Sequence, residues 1–204
     1  MGAVATSKSG RLSLSQGAAL VALARKSIAH YLKNCEVPRP KPSSQPRGVF
    51  VTLHSSSGKL RGCIGFPFPI KPLEEAVAGA AIAAAVNDPR FDPVGLEELS
   101  RLLVEISVLS VPQEISYSSP GDLAKKIEIG KDGLILEYGP YSGLLLPQVP
   151  AECKWDAEAF LDNLCLKAGL YAEFWKKQKP GISKFGAQIF SEKTPGGKVC
   201  EKKA

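Results

Sequence analysis

The sequence predicts an α+β fold with a mixed, largely antiparallel sheet flanked by helices. Helical and extended segments alternate along the chain without the regular rhythm of βαβ units, and turn residues join several neighbouring strands directly, as in hairpins. The chain has 204 residues, which is enough for one sizeable core or two small lobes and too few for a TIM barrel.

The N-terminal third predicts a helix, a loop and a hairpin. A Ser-x-x-Gln capping box at residues 13–16 opens an apolar pattern with helical spacing, which predicts a helix over residues 14–32. The four prolines between residues 38 and 46 make the next stretch a loop. Residues 48–54 are rich in valine and phenylalanine, and a Ser/Gly turn returns them into a second strand that begins at Leu60.

The middle third predicts a helix and a strand. The alanine-rich segment 73–87 has an apolar stripe at helical spacing, and so much alanine indicates close packing. Residues 87–93 (NDPRFDP) break this helix, and a short turn follows at residues 96–99. Residues 102–109 alternate in the manner of a half-buried strand, with Glu105 between two leucines on one face.

The C-terminal third predicts two helices and a small group of strands. A short helix is expected over residues 120–126, and a Gly-Pro turn joins the strands expected over residues 134–138 and 142–146. Asp156 is a good N-cap and Gly169 a good stop for the helix between them. A last strand is expected over residues 183–192, without any internal repeat in the chain.

Composition narrows the class of protein. With 44% hydrophobic and 23% charged residues, the chain resembles an ordinary globular protein. No apolar run approaches the roughly 18 residues that span a bilayer, and residues 1–11 lack the apolar core of a secretion signal. We therefore expect no membrane association and a cytoplasmic location. The five cysteines lack the spacing of a zinc site, so we expect no metal.

The net charge of +6 bears on possible partners. A basic chain can attract nucleic acid over long range. However, much of the excess lies in two short groups of lysines, at residues 176–179 and 198–203, without the interleaved aromatics of a single-strand stacking groove. A solvated basic face and tail is the favoured interpretation, and nucleic-acid binding is kept as an alternative.

Residues 60–69 (LRGCIGFPFP) are the strongest indication of a site. Strand alternation predicts that Arg61, Cys63 and Gly65 share one face. A guanidinium about 6–7 Å along the strand would favour the thiolate, which is the nucleophilic form of cysteine. The alternative is that Cys63 packs as a small hydrophobe. Gly62 and Gly65 lack the context of a phosphate-binding loop and indicate close approach of a ligand or another backbone.

Several motifs, in order, resemble those of the AMMECR domain family. They are LRGCIG at residues 60–65, DPRF at 88–91, EISVLS at 105–110, DGL at 132–134 and GLLLPQV at 143–149. The likeness extends from about residue 14 to residue 192. It implies an α+β domain over residues 14–192 with a second, smaller subdomain, between a flexible N-terminus (1–13) and a basic flexible C-terminus (193–204).

The resemblance also implies a site, without giving a settled activity. In this family the Arg-Gly-Cys-Ile-Gly segment lies near the cleft between the subdomains, where we expect it to bind a small ligand or a peptide. Cys63 is the candidate nucleophile and Glu105 the candidate acid or base for thiol-dependent chemistry. The expected ligand-binding residues are Arg61, Gly62, Gly65, Arg90 and Ser107.

Each candidate has a structural alternative. Glu105 can form an ion pair with Arg61 or Arg90, and Ser107 can serve as a small packing residue. Asp88 and Asp92, each two residues from Arg90 in sequence, offer that arginine equally good local partners. At the level of the whole protein, the alternative is a non-catalytic module that binds protein or RNA through a basic surface.

Family members occur as fusions or neighbours of radical-SAM and Memo-type proteins, which are therefore the expected partners. The chain has no three-cysteine cluster for an iron–sulfur centre, so we expect no cofactor of its own and assign any radical chemistry to a partner.

Overall fold

The computed structural model describes residues 11–202, so most of the N-terminal segment that was expected to be flexible lies outside the described residues. The chain contacts divide it into two compact units. The first contains the described residues up to Leu109 together with residues 188–202, and the second contains residues 110–187. Helices and antiparallel strands make up both units, which confirms the predicted α+β class.

The first unit contains three helices and five strands. Its helices are α1 (Leu14–Asn34), α2 (Leu73–Val86) and α3 (Leu96–Leu99). Its strands are β1 (Val49–His54), β2 (Leu60–Phe66), β3 (Leu103–Leu109), β8 (Ala187–Glu192) and β9 (Val199–Lys202), and they form one sheet in the order β2-β1-β3-β8-β9. The remaining strands belong to the second unit.

The second unit contains a four-stranded sheet and four short or medium helices. Its strands are β4 (Gln113–Glu114), β5 (Gly133–Tyr138), β6 (Tyr141–Leu145) and β7 (Gly181–Phe185), in the order β4-β7-β5-β6. Its helices are α4 (Pro120–Lys125), α5 (Gln148–Glu152), α6 (Ala157–Lys167) and α7 (Phe174–Lys177). Phe160 and Leu164 of α6 pack with Leu134 and Leu136 of β5 in its core.

Side chains that alternate along the strands give the first sheet one buried face and one partly buried face. Along β1, Val49, Val51 and Leu53 are buried in the core with residues of α1 and α2, while the intervening side chains are only partly buried. The alanines of α2 lack bulk, and this allows the helix to approach the sheet closely. A Cβ atom on Gly62 of β2 would lie 2.1 Å from the carbonyl oxygen of Ala84. The close packing that the alanine content predicts is therefore present.

The strand predicted over residues 183–192 is wrong in one respect, because the segment forms two strands in different sheets. Gly186 separates β7, which pairs with β5 in the second unit, from β8, which pairs with β9 in the first. At the separation, the Gly186 amide donates to Ser110 Oγ, and the Ser110 amide donates to the Gly186 carbonyl. Both bonds follow Phe185, whose pairing with Gly133 lies at the end of the β5–β7 ladder.

The C-terminal segment also differs from the expected flexible tail. Residues 199–202 form β9, which pairs antiparallel with β8. A turn joins the two strands, in which the Gly197 amide donates to the Thr194 carbonyl and Gly196 has a φ of 67°. Glycine adopts such a left-handed conformation without strain. Sequence reasoning also missed the short elements β4, α5 and α7.

We predict that Gly62→Ala destabilises the first unit by about 3 kcal/mol, since the added methyl group meets a backbone carbonyl of α2 that cannot move without shifting the helix. Urea denaturation followed by circular dichroism measures the change. Gly95→Ala is the matched control, because an added Cβ there meets no atom within 4 Å. Equal stability of the two variants would contradict this packing.

Candidate functional site

The candidate site forms where the loop after α2 meets the edge of the first sheet. As the outer strand of that sheet, β2 has one edge without a strand partner. The Cys63 amide on this edge donates to Asp88 Oδ2 over 2.8 Å, and the Cys63 carbonyl accepts from Arg90 Nη2 over 3.3 Å. The two side chains thus replace a neighbouring strand and join the LRGCIG and DPRF segments through hydrogen bonds.

The carboxylate of Asp88 is the centre of this arrangement. Its side chain is only 2% exposed, and it binds the Arg90 guanidinium with both oxygens, through Nε at 2.9 Å and Nη2 at 2.7 Å. The backbone amide of Arg90 also donates a hydrogen bond to the carboxylate, at Oδ1. Hydrogen bonding to Arg90 holds the pKa of Asp88 well below its usual range, although burial acts in the opposite direction. Asp88 is therefore ionised at neutral pH.

A second arginine lies beside this pair. The β1–β2 register is irregular at Arg61, because Leu53 pairs with Gly62 whereas His54 pairs with Leu60. Such bulges redirect side chains. Arg61 forms a two-pronged ion pair with Glu98 of α3, through Nε at 2.5 Å and Nη2 at 3.0 Å. Its Nη1 atom is buried and has no hydrogen-bond partner within residues 11–202.

The two arginines share one aromatic neighbour. The Cζ atoms of Arg61 and Arg90 lie 5.9 and 5.5 Å from the centre of the Phe91 ring, within the range of cation–π attraction. Both arginines and Phe91, together with Pro89 and Asp92, line an open pocket of about 420 Å³. The pocket therefore combines two permanent positive charges with a flat apolar surface.

The thiol of Cys63 does not have the properties expected of a nucleophile. Burial raises its pKa, and the hydrogen bond that Thr52 Oγ1 donates to Sγ over 3.3 Å, together with the charge of Arg90, offsets this only in part. Arg61 was expected to stabilise the thiolate, but the irregular register turns its guanidinium to Glu98 instead. The cation that acts on Cys63 is Arg90.

Glu105 lies in the same row of the sheet as Cys63, because Thr52 pairs with both residues across β1. Its carboxylate binds Lys202 Nζ at 2.6 Å and lies 3.8 Å from His54 Nε2. Burial alone would raise the pKa of Glu105, but the proximity of His54 and the hydrogen bond from Lys202 outweigh it and lower that pKa to about 2. A pKa suited to a general acid is therefore absent, and neither expected arginine is the ion-pair partner.

Gly62, Gly65 and Ser107 have packing roles in and around the first sheet. The Phe50 ring lies over Gly65, where a Cβ atom would be 2.4 Å from Phe50 Cδ1, and Gly62 provides the contact with α2. Ser107 pairs with Phe50 across the sheet and is 2% exposed. Of the five predicted ligand-binding residues, only Arg61 and Arg90 are among the residues that line the pocket.

Sequence reasoning assigned no role in the site to four residues of this arrangement. Phe91 and Asp92 were present in the recognised DPRF segment and its continuation, but nothing in the sequence placed Arg61 beside them. Glu98 and Lys202 are the ion-pair partners of Arg61 and Glu105. Their sequence positions gave no signal, because both bonds depend on the folded chain and the second joins residues 97 positions apart.

Comparison with known proteins identifies the class. The sequence matches the AMMECR1 family over residues 21–190, and the chain belongs to this family, as its motifs predicted. Its relatives include proteins from Methanococcus aeolicus, with 48% identity over 95% of this chain and 99% of the relative, and from Methanocaldococcus jannaschii, with 50% identity over 94% of this chain and 98% of the relative.

A solved structure of a relative has the same fold. The uncharacterised protein PH0010 from Pyrococcus horikoshii is 48% identical, with a TM-score of 0.85 over 92% of this chain and 97% of that protein. None of the helices between residues 11 and 202 has the length and apolar character needed to span a membrane. Over the same residues, no group of three or more His, Cys, Asp or Glu side chains is placed to hold a metal ion.

We predict that Cys63 in the folded protein is alkylated with a pH midpoint above that of an ordinary cysteine thiol, because burial disfavours its thiolate. Thr52→Val should move the midpoint further upward, since the variant lacks the hydrogen bond to Sγ. Iodoacetamide labelling quantified by peptide mass spectrometry measures both, with the exposed Cys35 and Cys153 as internal references. A midpoint below that of an ordinary thiol would contradict the geometry.

We predict that Glu105 contributes pH-dependent stability. Its folded-state pKa of about 2 lies below the ordinary value of 4.5, so the contribution is present above the ordinary value and is lost as the pH falls towards about 2. Glu105→Gln should therefore lower the free energy of unfolding at neutral pH, and the difference from wild type should shrink in acid. Chemical denaturation across this range tests it, with exposed Glu97→Gln as control. A constant difference would refute the linkage.

Proposed function

We propose that the pocket formed by Arg61, Arg90 and Phe91 binds a small ligand or a peptide through an oxyanion group, a carboxylate or a phosphate. The observation that carries this proposal is that the side chains of Arg61, Arg90 and Phe91 line one open pocket, with both guanidiniums close to the aromatic ring. An oxyanion in this pocket would accept charge-assisted hydrogen bonds from the arginines.

The existing ion pairs prepare both arginines for binding. Glu98 holds Nε and Nη2 of Arg61, and Asp88 holds Nε and Nη2 of Arg90. Each guanidinium therefore has a fixed orientation before a ligand arrives, which reduces the entropy lost on binding. Since the Arg90 side chain is 54% exposed, a ligand can reach it from solvent.

The distribution of charge supports an anionic ligand. The sequence of the first unit contains 17 Lys and Arg against 10 Asp and Glu, whereas that of the second contains 9 against 10. The positive charge of the whole chain thus resides in the unit that carries the pocket. Such a field attracts anions and raises their association rate at low ionic strength.

Binding, and not thiol chemistry, is the function that this geometry favours. Cys63 is a neutral thiol at pH 7 by the direction of its pKa, and Glu105 is tied to Lys202 and His54. Thiol-dependent transfer at Cys63 would require a bound ligand or a partner that favours the thiolate. The family likeness makes radical-SAM and Memo-type proteins the partners to test, and we place the protein in the cytoplasm as part of this proposal.

We predict that Arg61→Gln weakens the binding of inorganic phosphate and of acetate by about tenfold, because the variant lacks one of the two positive charges that line the pocket. Isothermal titration calorimetry measures both affinities. Arg61→Lys keeps the charge without the two-pronged geometry, so its affinity for both anions should lie between those of the wild type and of Arg61→Gln. An intermediate value would show that the loss in Arg61→Gln is not caused by a general loss of structure.

Arg101→Gln is the matched control, since Arg101 is an exposed arginine of the same unit that is not among the pocket-lining residues. Its affinity for both anions should equal that of the wild type. If Arg101→Gln and Arg61→Gln weakened anion binding equally, the loss would be due to net charge alone, and the proposed binding site would be wrong. The absence of phosphate and acetate binding to the wild type would overturn the proposed function.

A further inference from the structure

Asp92 gives the pocket a negative charge among its two positive ones. It is exposed and lines the same pocket as Arg61 and Arg90. No ion pair or hydrogen bond to its carboxylate occurs among residues 11–202, although both guanidiniums line the pocket with it. Each arginine is instead paired with another carboxylate, Arg61 with Glu98 and Arg90 with Asp88. The charge of Asp92 is therefore available to a ligand.

The backbone holds Asp92 in place. Asp88 and Pro89 occupy the first two positions of a turn in which the Phe91 amide donates to the Asp88 carbonyl over 3.1 Å, and proline is favoured at the second position of such turns. Directly after Pro93, the Val94 amide donates to the Ala85 carbonyl over 2.8 Å. Asp92 thus lies in a short segment that is fixed on both sides, with little conformational freedom to lose on binding.

We propose that the ligand of this pocket is a zwitterion, an α-amino acid or a short peptide, whose carboxylate binds Arg61 and Arg90 while its ammonium group binds Asp92. The proposal rests on the proposed function, because it requires the anion site, and it adds the second charge that the ligand carries. A volume of about 420 Å³ is within the usual range for small-molecule pockets. The polar groups of a short peptide suit its charged lining.

Three dipeptide probes test the assignment. Alanylalanine carries both charges, N-acetyl-alanylalanine only the carboxylate, and alanylalanine amide only the ammonium group. The wild type should bind alanylalanine about fivefold more tightly than the acetylated form, as expected for a solvent-exposed ion pair. It should bind the amide more weakly than either, since the amide has no group for the arginines. Calorimetric titration of the full chain measures all three affinities.

Asp92→Asn should abolish the preference for alanylalanine over its acetylated form and leave the affinity for inorganic phosphate equal or higher, because the carboxylate repels that anion. Glu97→Gln, an exposed carboxylate of the same unit that is not among the pocket-lining residues, should retain the preference. The two proposals fail separately. If the wild type bound phosphate but did not prefer alanylalanine over its acetylated form, the zwitterion proposal would be wrong and the anion site would stand. If none of the probes bound, both proposals would be wrong.

Discussion

The buried carboxylate of Asp88 is the interaction on which the site depends. It makes one hydrogen bond to the backbone of the edge strand at Cys63 and three to Arg90, so that one charge both closes the sheet edge and orients a cation. Removal of one partner from a buried pair leaves a charge without compensation, which commonly costs several kcal/mol. The pair therefore links the packing of β2 to the position of the guanidinium.

This link gives the Arg-Gly-Cys-Ile-Gly segment a physical meaning that differs from a catalytic thiol. The Cys63 backbone binds the DPRF loop, Gly62 admits α2, and Gly65 lies under the Phe50 ring. Arg61, which lies at the irregular register, is the side chain that the segment supplies to the pocket. The two glycines meet steric requirements of the fold, and the Cys63 thiol accepts a hydrogen bond from Thr52, so a reactive thiolate is not needed to explain them.

Sequence reasoning succeeded where the determining signals are local. The alternation along β1 and the alanine stripe of α2 specify a buried face and a close helix contact, and both are present. It failed where the structure is determined by contacts between residues that are far apart in the sequence. Gly186, where the chain changes sheets, bonds Ser110 from 76 positions earlier, and the low pKa of Glu105 depends on Lys202 of a strand near the C-terminus. No sequence pattern indicates the bulge at Arg61 or the ion pair between Arg61 and Glu98.

The most direct measurement combines amide hydrogen exchange at Cys63 with phosphate titration for Asp88→Asn and wild type. Replacement of a carboxylate oxygen by an amide group turns an acceptor for the Cys63 amide and Arg90 into a donor. We expect faster exchange at Cys63 and weaker phosphate binding in the variant, while protected amides in β1 and β3 show that the sheet remains folded. Unchanged exchange at Cys63 together with unchanged phosphate affinity would contradict it.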